Sequence, residues 1–223
     1  MGGLKPSDHA LIAIKAALNA VPTVGGAIAS LVGDYVPLST QRSVERTVEL
    51  LTQKFENLEG RLDLETLDKD EFSELFKSCY LVVIRTNQEV KLRAAASILA
   101  NLVLRDGDSD KVPYTELDHL VRCLDGLSIG AITMLGAARN IAHRSKTTPD
   151  RNGGKTIQFE ILHAELNGWD LSLLMGLLSE LNSYNLLRIE GAPAIAMPEF
   201  GNYPVTLTPL GARFVERFIE ART

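Results

Sequence analysis

Apolar residues recur at helical spacing along most of this chain, and the places where that spacing lapses divide it into elements. Residues 16–36 read AALNAVPTVGGAIASLVGDYV and carry no charge from Ala16 to Gly33. Ser7 and Asp8 can cap a helix over residues 9–20. Pro22 ends it, because the residue before a proline is pushed towards extended backbone. A second short helix, residues 24–34, is bounded by Pro37. The pattern predicts a helical hairpin of small residues over 9–36. Gly25, Ala29 and Gly33 stand four apart and, beside Ile28, form a smooth strip on a helix. Such a strip lets a second helix approach closely.

From Ser39 a longer helix is expected. Val44, Val48, Leu51, Phe55, Leu58 and Leu62 follow alternating steps of four and three, the a/d repeat of a coiled coil. The run is under three heptads, short of what specifies a coiled coil. It therefore reads as a seam inside an antiparallel helical bundle rather than a dimeric coiled coil. Gly60 weakens the end of this helix. Asp68 to Asp70 can cap the next helix, residues 71–104. There Phe72, Leu75, Phe76, Cys79, Val83, Leu92, Ala96, Leu99 and Val103 keep a helical period. The polar stretch from Arg85 to Lys91 marks a bend or break. RDGDSDKVP, residues 105–113, has the charge, glycine and proline of a linker.

The C-terminal part has a different texture. Helices are expected over 114–124 and, after a Ser128 cap, over 129–143. A polar loop, RSKTTPDRNGGK, leads to a helix over 157–166, and Asp170 caps another through Asn185. LLRIE reads as a strand, followed by a loop with Pro193 and Pro198 and a second strand, YPVTLT. Thr208 caps a last helix with Pro209 at its first position, a favoured arrangement. Helix, helix, helix, strand, loop, strand, helix is the order of a winged helix-turn-helix. The expected fold is mainly α: a helical bundle over 1–104 (with the apolar small-residue hairpin at 1–37), a linker at 105–113, and a winged-helix-like domain with a two-stranded wing over 114–223.

Composition narrows the function classes. With 45% hydrophobic residues the chain can build a real core. A net charge of -5 argues against a generic polyanion binder, though not against a local basic patch. Cys79 and Cys123, in apolar helical contexts, read as reduced core residues of a cytoplasmic protein. The N-terminal run does not read as a secretory signal, since Asp8 and His9 interrupt its start. It is a poor membrane span too: about 20 apolar residues are needed, and Pro22 splits this run.

No catalytic constellation stands out. GLSIG, Gly126 to Gly130, matches a nucleophile-elbow pattern, but that motif needs a strand before the serine. Here a helix with Asp125 precedes it, so Ser128 reads as a helix cap. Gly25-Gly26 and Gly153-Gly154 fit no phosphate loop. His9, His119, His143 and His163 lack metal-ligand spacing. Asp68, Asp70, Glu71 and Glu74 suit a helix start and a solvated face. Neither a metal nor a cofactor is expected. Trp169, just before the Asp170 cap, reads as a staple or core residue.

The winged-helix order raises DNA binding, which the presumed reading helix opposes. Between Phe159 and Glu190 the acidic residues are Glu160, Glu165, Asp170, Glu180 and Glu190, against a single cation, Arg188. Phosphate contacts supply most of the affinity and need cations. One basic patch exists, with Arg139, His143, Arg144, Lys146, Arg151 and Lys155 opposed by Asp150. It is either a solvated loop or a contact for an acidic partner, a membrane surface or nucleic-acid phosphates.

PTVGGAIASLVGDYVP, the charged helix after it, and DEFSELFKSCYLVVIRTNQEVKLRAAASILAN resemble a recurrent group of bacterial proteins without a defined activity. Those share a P-x-V-G-G-x-I-x-S-L-x-x-D-Y segment, E-F-x-x-L-F and R-T-x-x-E-K-type helices, and a winged-helix-like tail with L-T-P-L-G-x-x-F. The matching residues are Pro22 to Tyr35, Glu71 to Phe76, Arg85 to Lys91 (with Val90 between glutamate and lysine) and Leu207 to Phe214. The resemblance implies a bacterial, intracellular, non-enzymatic protein, in a stress or phage-defence setting. It carries over no functional residue.

Three functions stay open at this point. The leading expectation is a cytoplasmic interaction protein, an adaptor or effector subunit, binding a protein partner or itself. The alternatives are a membrane-active effector that inserts residues 9–36, and a DNA-binding regulator that uses the basic loop and wing. The hairpin is correspondingly a buried core element, an oligomer interface or a membrane-entering segment.

Overall fold

The computed structural model describes residues 38–58, 60–63, 67–145, 148–189 and 203–220. The hairpin at 9–36, with Gly25, Ile28, Ala29 and Gly33, lies outside them, as do Lys146 and the loop with Pro193 and Pro198. Among the described residues the protein is mainly helical, with a small three-stranded antiparallel sheet. No described helix is long and apolar enough to cross a membrane.

The chain forms two compact units that divide at Asp125 and Gly126. In the first, α1 (Leu38–Asn57) packs on α2 (Lys69–Arg85) and α3 (Glu89–Leu102). The coiled-coil-like seam is part of a wider buried stripe. Leu51 and Phe55 are buried, but so are Leu50, Ser43 and Thr47, while Val44 and Val48 are half-buried. Leu58 falls in the turn after α1, and Leu62 bridges to Leu104 as an isolated β pair. The helix needs this width because it meets two helices. The Ser43 hydroxyl donates to the Thr86 carbonyl at 2.7 Å, and the Arg46 guanidinium donates to the Glu89 carboxylate at 2.7 Å.

The long helix expected over 71–104 is two helices. Asp68 caps α2 by accepting from the Asp70 and Glu71 N–H groups. Thr86 ends it in extended conformation (φ -132, ψ 151), and Gln88 starts α3. The break falls in the polar stretch, where no apolar face would be buried by continuing. Ala94, Ala95, Ala96, Ile98 and Ala100 are all buried, so α3 is enclosed nearly all round.

Residues 105–113 are not a linker between units; α4 (Tyr114–Gly126) ends the first unit. The loop is clamped to its neighbours. Arg61 donates to Asp108 at 2.6 and 2.8 Å and to Asp110 at 2.7 Å. The Asn101 side chain donates to the Asp110 carbonyl and accepts from the Val112 N–H. Lys111 pairs with Asp106 at 2.8 Å. Glycine and charge signal a turn, but its length and tethering depend on distant partners.

The Arg61 guanidinium holds the Asp108 carboxyl, 4% exposed, well below the usual carboxylate range. A depressed folded pKa gives stability that is present above the unfolded value, about 3.9, and lost as pH falls below it. Arg61→Leu is expected to cost about 1 kcal/mol at pH 7, discounted for the exposure of the arginine. The difference from the parent should shrink in urea titrations below about pH 4. A gap unchanged down to pH 2 would contradict the assignment.

The second unit runs α5 (Ile129–Arg144), β1 (Lys155–Gln158), α6 (Phe159–Glu165), α7 (Leu171–Ser183), β2 (Leu187–Ile189), β3 (Pro204–Leu207) and α8 (Pro209–Phe214), continued by a π turn, Val215–Ile219. Sheet order is β1-β3-β2, with Leu207 opposite both Lys155 and Leu187. β1 corrects the sequence reading, which placed it in the polar loop and the following helix and so expected only a two-stranded wing. Thr156 and Ile157 are β-branched, and Thr156 meets the Thr206 hydroxyl at 3.0 Å, a partner fifty residues away.

The expected caps organise this unit. Ser128 accepts from the Ala131 N–H, and Asp170 from the Ser172 and Leu173 N–H groups. Thr208 accepts from the Gly211 N–H while its hydroxyl donates to the Asn185 carbonyl at 2.7 Å. This double role seats α8 on the turn after α7, where Asn185 takes a left-handed φ of 55. Leu174, Leu178, Leu181, Val205, Phe214 and Phe218 form the core, each fully buried.

Candidate interaction surface

The Asp170 cap sets the phase of α7 and thereby decides which side chains reach solvent. From that start, Leu174, Leu177, Leu178 and Leu181 point into the core at helical spacing. The opposite face carries Ser172, Leu173, Gly176, Ser179 and Ser183, all exposed. Leu173 is 51% exposed and Ile161, on α6, is 45% exposed. A Cβ at Gly176 would meet nothing within 4 Å, so this stretch of the helix is bare. The face is small, neutral and partly apolar. Nearby acidic residues are tied down: Glu180 accepts from the Ser128 N–H and hydroxyl, and Glu165 pairs with Arg144 at 2.7 Å.

Two cations of the basic patch read from the sequence, Arg139 and Arg144, are paired with carboxylates within the unit. Arg139 pairs with Glu216 at 3.2 Å and Glu220 at 3.5 Å. Arg144 is held by Glu165, and the Lys155 ammonium donates to the Ala142 carbonyl at 3.5 Å. Arg188 pairs with Asp150 at 2.7 Å. Backbone donors from Gly154 and Asn152 join Arg188 in holding the Asp150 carboxyl below the usual range. Arg151 is exposed and has no partner among the described residues. The partners Glu216 and Glu220 come from a helix more than seventy residues away, so sequence windows around the patch hide them.

Nucleophile chemistry finds no support at the cysteines or Ser128. Burial pushes the Cys79 thiol up, and pushes Cys123 up to about 12, so neither is a thiolate near neutral pH. Ser128 is engaged as a cap. Among the described residues no group of three or more His, Cys, Asp or Glu could hold a metal ion.

The first unit has a separate feature, an apolar groove between α1 and α2. Val44, Val48 and Leu51 line one wall, and Phe76, Cys79 and Val83 the other. Of the candidate seam, therefore, Val44, Val48 and Leu51 reach the groove. Sequence reasoning did not single out Leu173, Ile161 or this groove. Leu173 sits inside an apolar run, LSLLMGLL, and only the phase set by the cap separates it from its buried neighbours.

No family model, curated protein or solved structure matches the chain.

Proposed function

We propose that this is a non-enzymatic interaction protein whose second unit is a winged helix used for protein contacts. The order α5, β1, α6, α7, β2, β3 with sheet order β1-β3-β2 supports the winged-helix reading. Such an arrangement offers α7 as its most prominent outward helix. The observation that carries the proposal is the exposed face of α7, which presents Leu173 and Gly176 among serines and not one cation. A helix entering the major groove is flanked by phosphates, and binding draws its affinity from Lys and Arg. Exposed apolar side chains among small polar ones suit a protein surface instead, where desolvated apolar anchors dominate binding.

A photoreactive benzoylphenylalanine placed at position 173 of the full chain tests the reading. Cross-linking in cells is expected to give a discrete protein adduct that Gly176→Asp, three residues on along the same exposed face and with open space around it, reduces at least tenfold. Cross-links to nucleic acid, or no adduct at all, would overturn it.

A further inference from the structure

Two exposed asparagines of the second unit precede glycines, Asn152 before Gly153 and Asn167 before Gly168. Both glycines take a positive φ, 76 and 91. Their backbones are held very differently. Gly153 donates its N–H to the Asp150 carbonyl at 2.9 Å, and the Asp150 carboxylate accepts from the Asn152 and Gly154 N–H groups at 2.8 Å. Arg188 fixes that carboxylate in turn, at 2.7 Å. In the turn between α6 and α7, neither the Gly168 N–H nor the Asn167 side chain meets a hydrogen-bond partner among the described residues. A Cβ at Gly168 would meet nothing within 4 Å, whereas one at Gly153 would stand 3.4 Å from the Pro209 ring. We propose that Asn167 is a site of spontaneous covalent modification, deamidating through a cyclic imide with the Gly168 nitrogen, and that Asn152 is protected from the same reaction. The inference concerns the turn ahead of α7 and is independent of what α7 binds.

The reaction needs only water. The Gly168 nitrogen yields its proton to solvent hydroxide and attacks Cγ of the Asn167 side chain. A new Cγ–N bond forms, the bond from Cγ to the amide nitrogen breaks, and that nitrogen takes a proton from water and leaves as ammonia. Water then adds to either carbonyl of the five-membered imide and opens it, giving aspartate or isoaspartate. Nothing is oxidised or reduced. Glycine is the permissive residue to follow, because no Cβ obstructs its nitrogen and its backbone reaches unusual conformations freely. An N–H that already donates to a carbonyl must first give up that bond, so the attacking nitrogen is freed less often. At Gly153 the whole clasp around Asp150 has to open, including the bond from the Asp150 N–H to the Gly154 carbonyl at 2.7 Å. At Gly168 no bond among the described residues has to open. The product places a new carboxylate, and in the isoaspartyl form an extra backbone methylene, three residues ahead of the Asp170 cap of α7.

Ageing the full chain in heavy-oxygen water tests this. Opening of the imide inserts one solvent oxygen, so deamidation of the folded protein leaves a heavy oxygen in the peptide. Deamidation during later digestion in ordinary water leaves a light one. Peptide mass spectrometry then gives the rate at each asparagine. The same ageing in concentrated urea gives each rate without the fold and so divides out the influence of the neighbouring residues. Folded, Asn167 is expected to react within about threefold of its rate in urea, and Asn152 at least tenfold below its own. Asp150→Ala, which takes the carboxylate out of the clasp, should raise the folded rate at Asn152 at least fivefold and leave Asn167 unchanged. Similar ratios of folded to urea rate at the two positions would overturn the proposal, as would protection of Asn167 alone. A folded chain in which neither position reacts would overturn it too. These ratios come from the parent chain, so a misfolded Asp150→Ala would leave the test intact. A folded Asp150→Ala no faster at Asn152 than the parent would refute the clasp as the source of protection.

Discussion

Gly211→Ala lowers the stability of the second unit by about 3 kcal/mol, although alanine is the better helix former. Propensity alone points the other way, favouring alanine over glycine by about 1 kcal/mol. The structure decides between them. A Cβ at Gly211 would run into the Leu186 carbonyl oxygen and stand 2.9 Å from its carbonyl carbon, both backbone atoms that cannot swing aside. Relief requires α8 to lift off the turn after α7. That movement breaks the bonds from the Thr208 hydroxyl to the Asn185 and Leu186 carbonyls. Overpacking costs about 1–3 kcal/mol, and lost buried hydrogen bonds add about 1 kcal/mol each. Trp169, the only tryptophan, lies in this unit, so its fluorescence follows the unfolding. A melting transition lowered by more than about 10 °C is expected. A stabilised variant would mean that α8 does not sit against Leu186.

Phe55→Ala lowers the stability of the first unit by about 3–5 kcal/mol, the range for a buried phenylalanine that leaves a cavity. Phe55 is 1% exposed near the end of α1, where the helix meets α2 and α3. The core of this unit, including Leu50, Leu75 and Ile98, is fully buried and close-packed, so it cannot collapse far into the space. Val44→Ala, on the same repeat but half-buried at the groove, should cost only about 1 kcal/mol. Urea titration followed by far-ultraviolet circular dichroism measures both. Equal costs would mean that the two positions are equally enclosed, contrary to the groove.

The local grammar of the chain was legible where one residue could satisfy its neighbours. Asp68, Ser128, Asp170 and Thr208 each cap the helix whose start they were expected to mark. The polar lapse between Arg85 and Lys91 corresponds to a true break. What depended on distant partners was not legible. β1 exists because Thr156 and Ile157 pair with Thr206 and Val205, and nothing near residue 156 announces that strand. The segment at 105–113 has the composition of a linker, yet Arg61 and Asn101 fasten it into the first unit. The same limit applies to the candidate surfaces. The lack of cations on α7 could be read directly, whereas the neutralisation of Arg139 and Arg144 needed Glu216 and Glu165 brought beside them. The a/d seam could be seen, but that Val44 and Val48 stand at an incompletely filled groove could not.

The central claim is that α7 presents a surface for protein and not for nucleic acid. Fluorescence anisotropy of a labelled mixed-sequence DNA duplex, titrated with the full chain at about 50 mM salt, tests it most directly, because low salt favours any phosphate-driven binding. The account predicts no saturable rise up to tens of micromolar protein, and no change on Arg151→Gln. Saturable binding at or below about 1 µM, weakening steeply as salt is raised to about 200 mM, would contradict it.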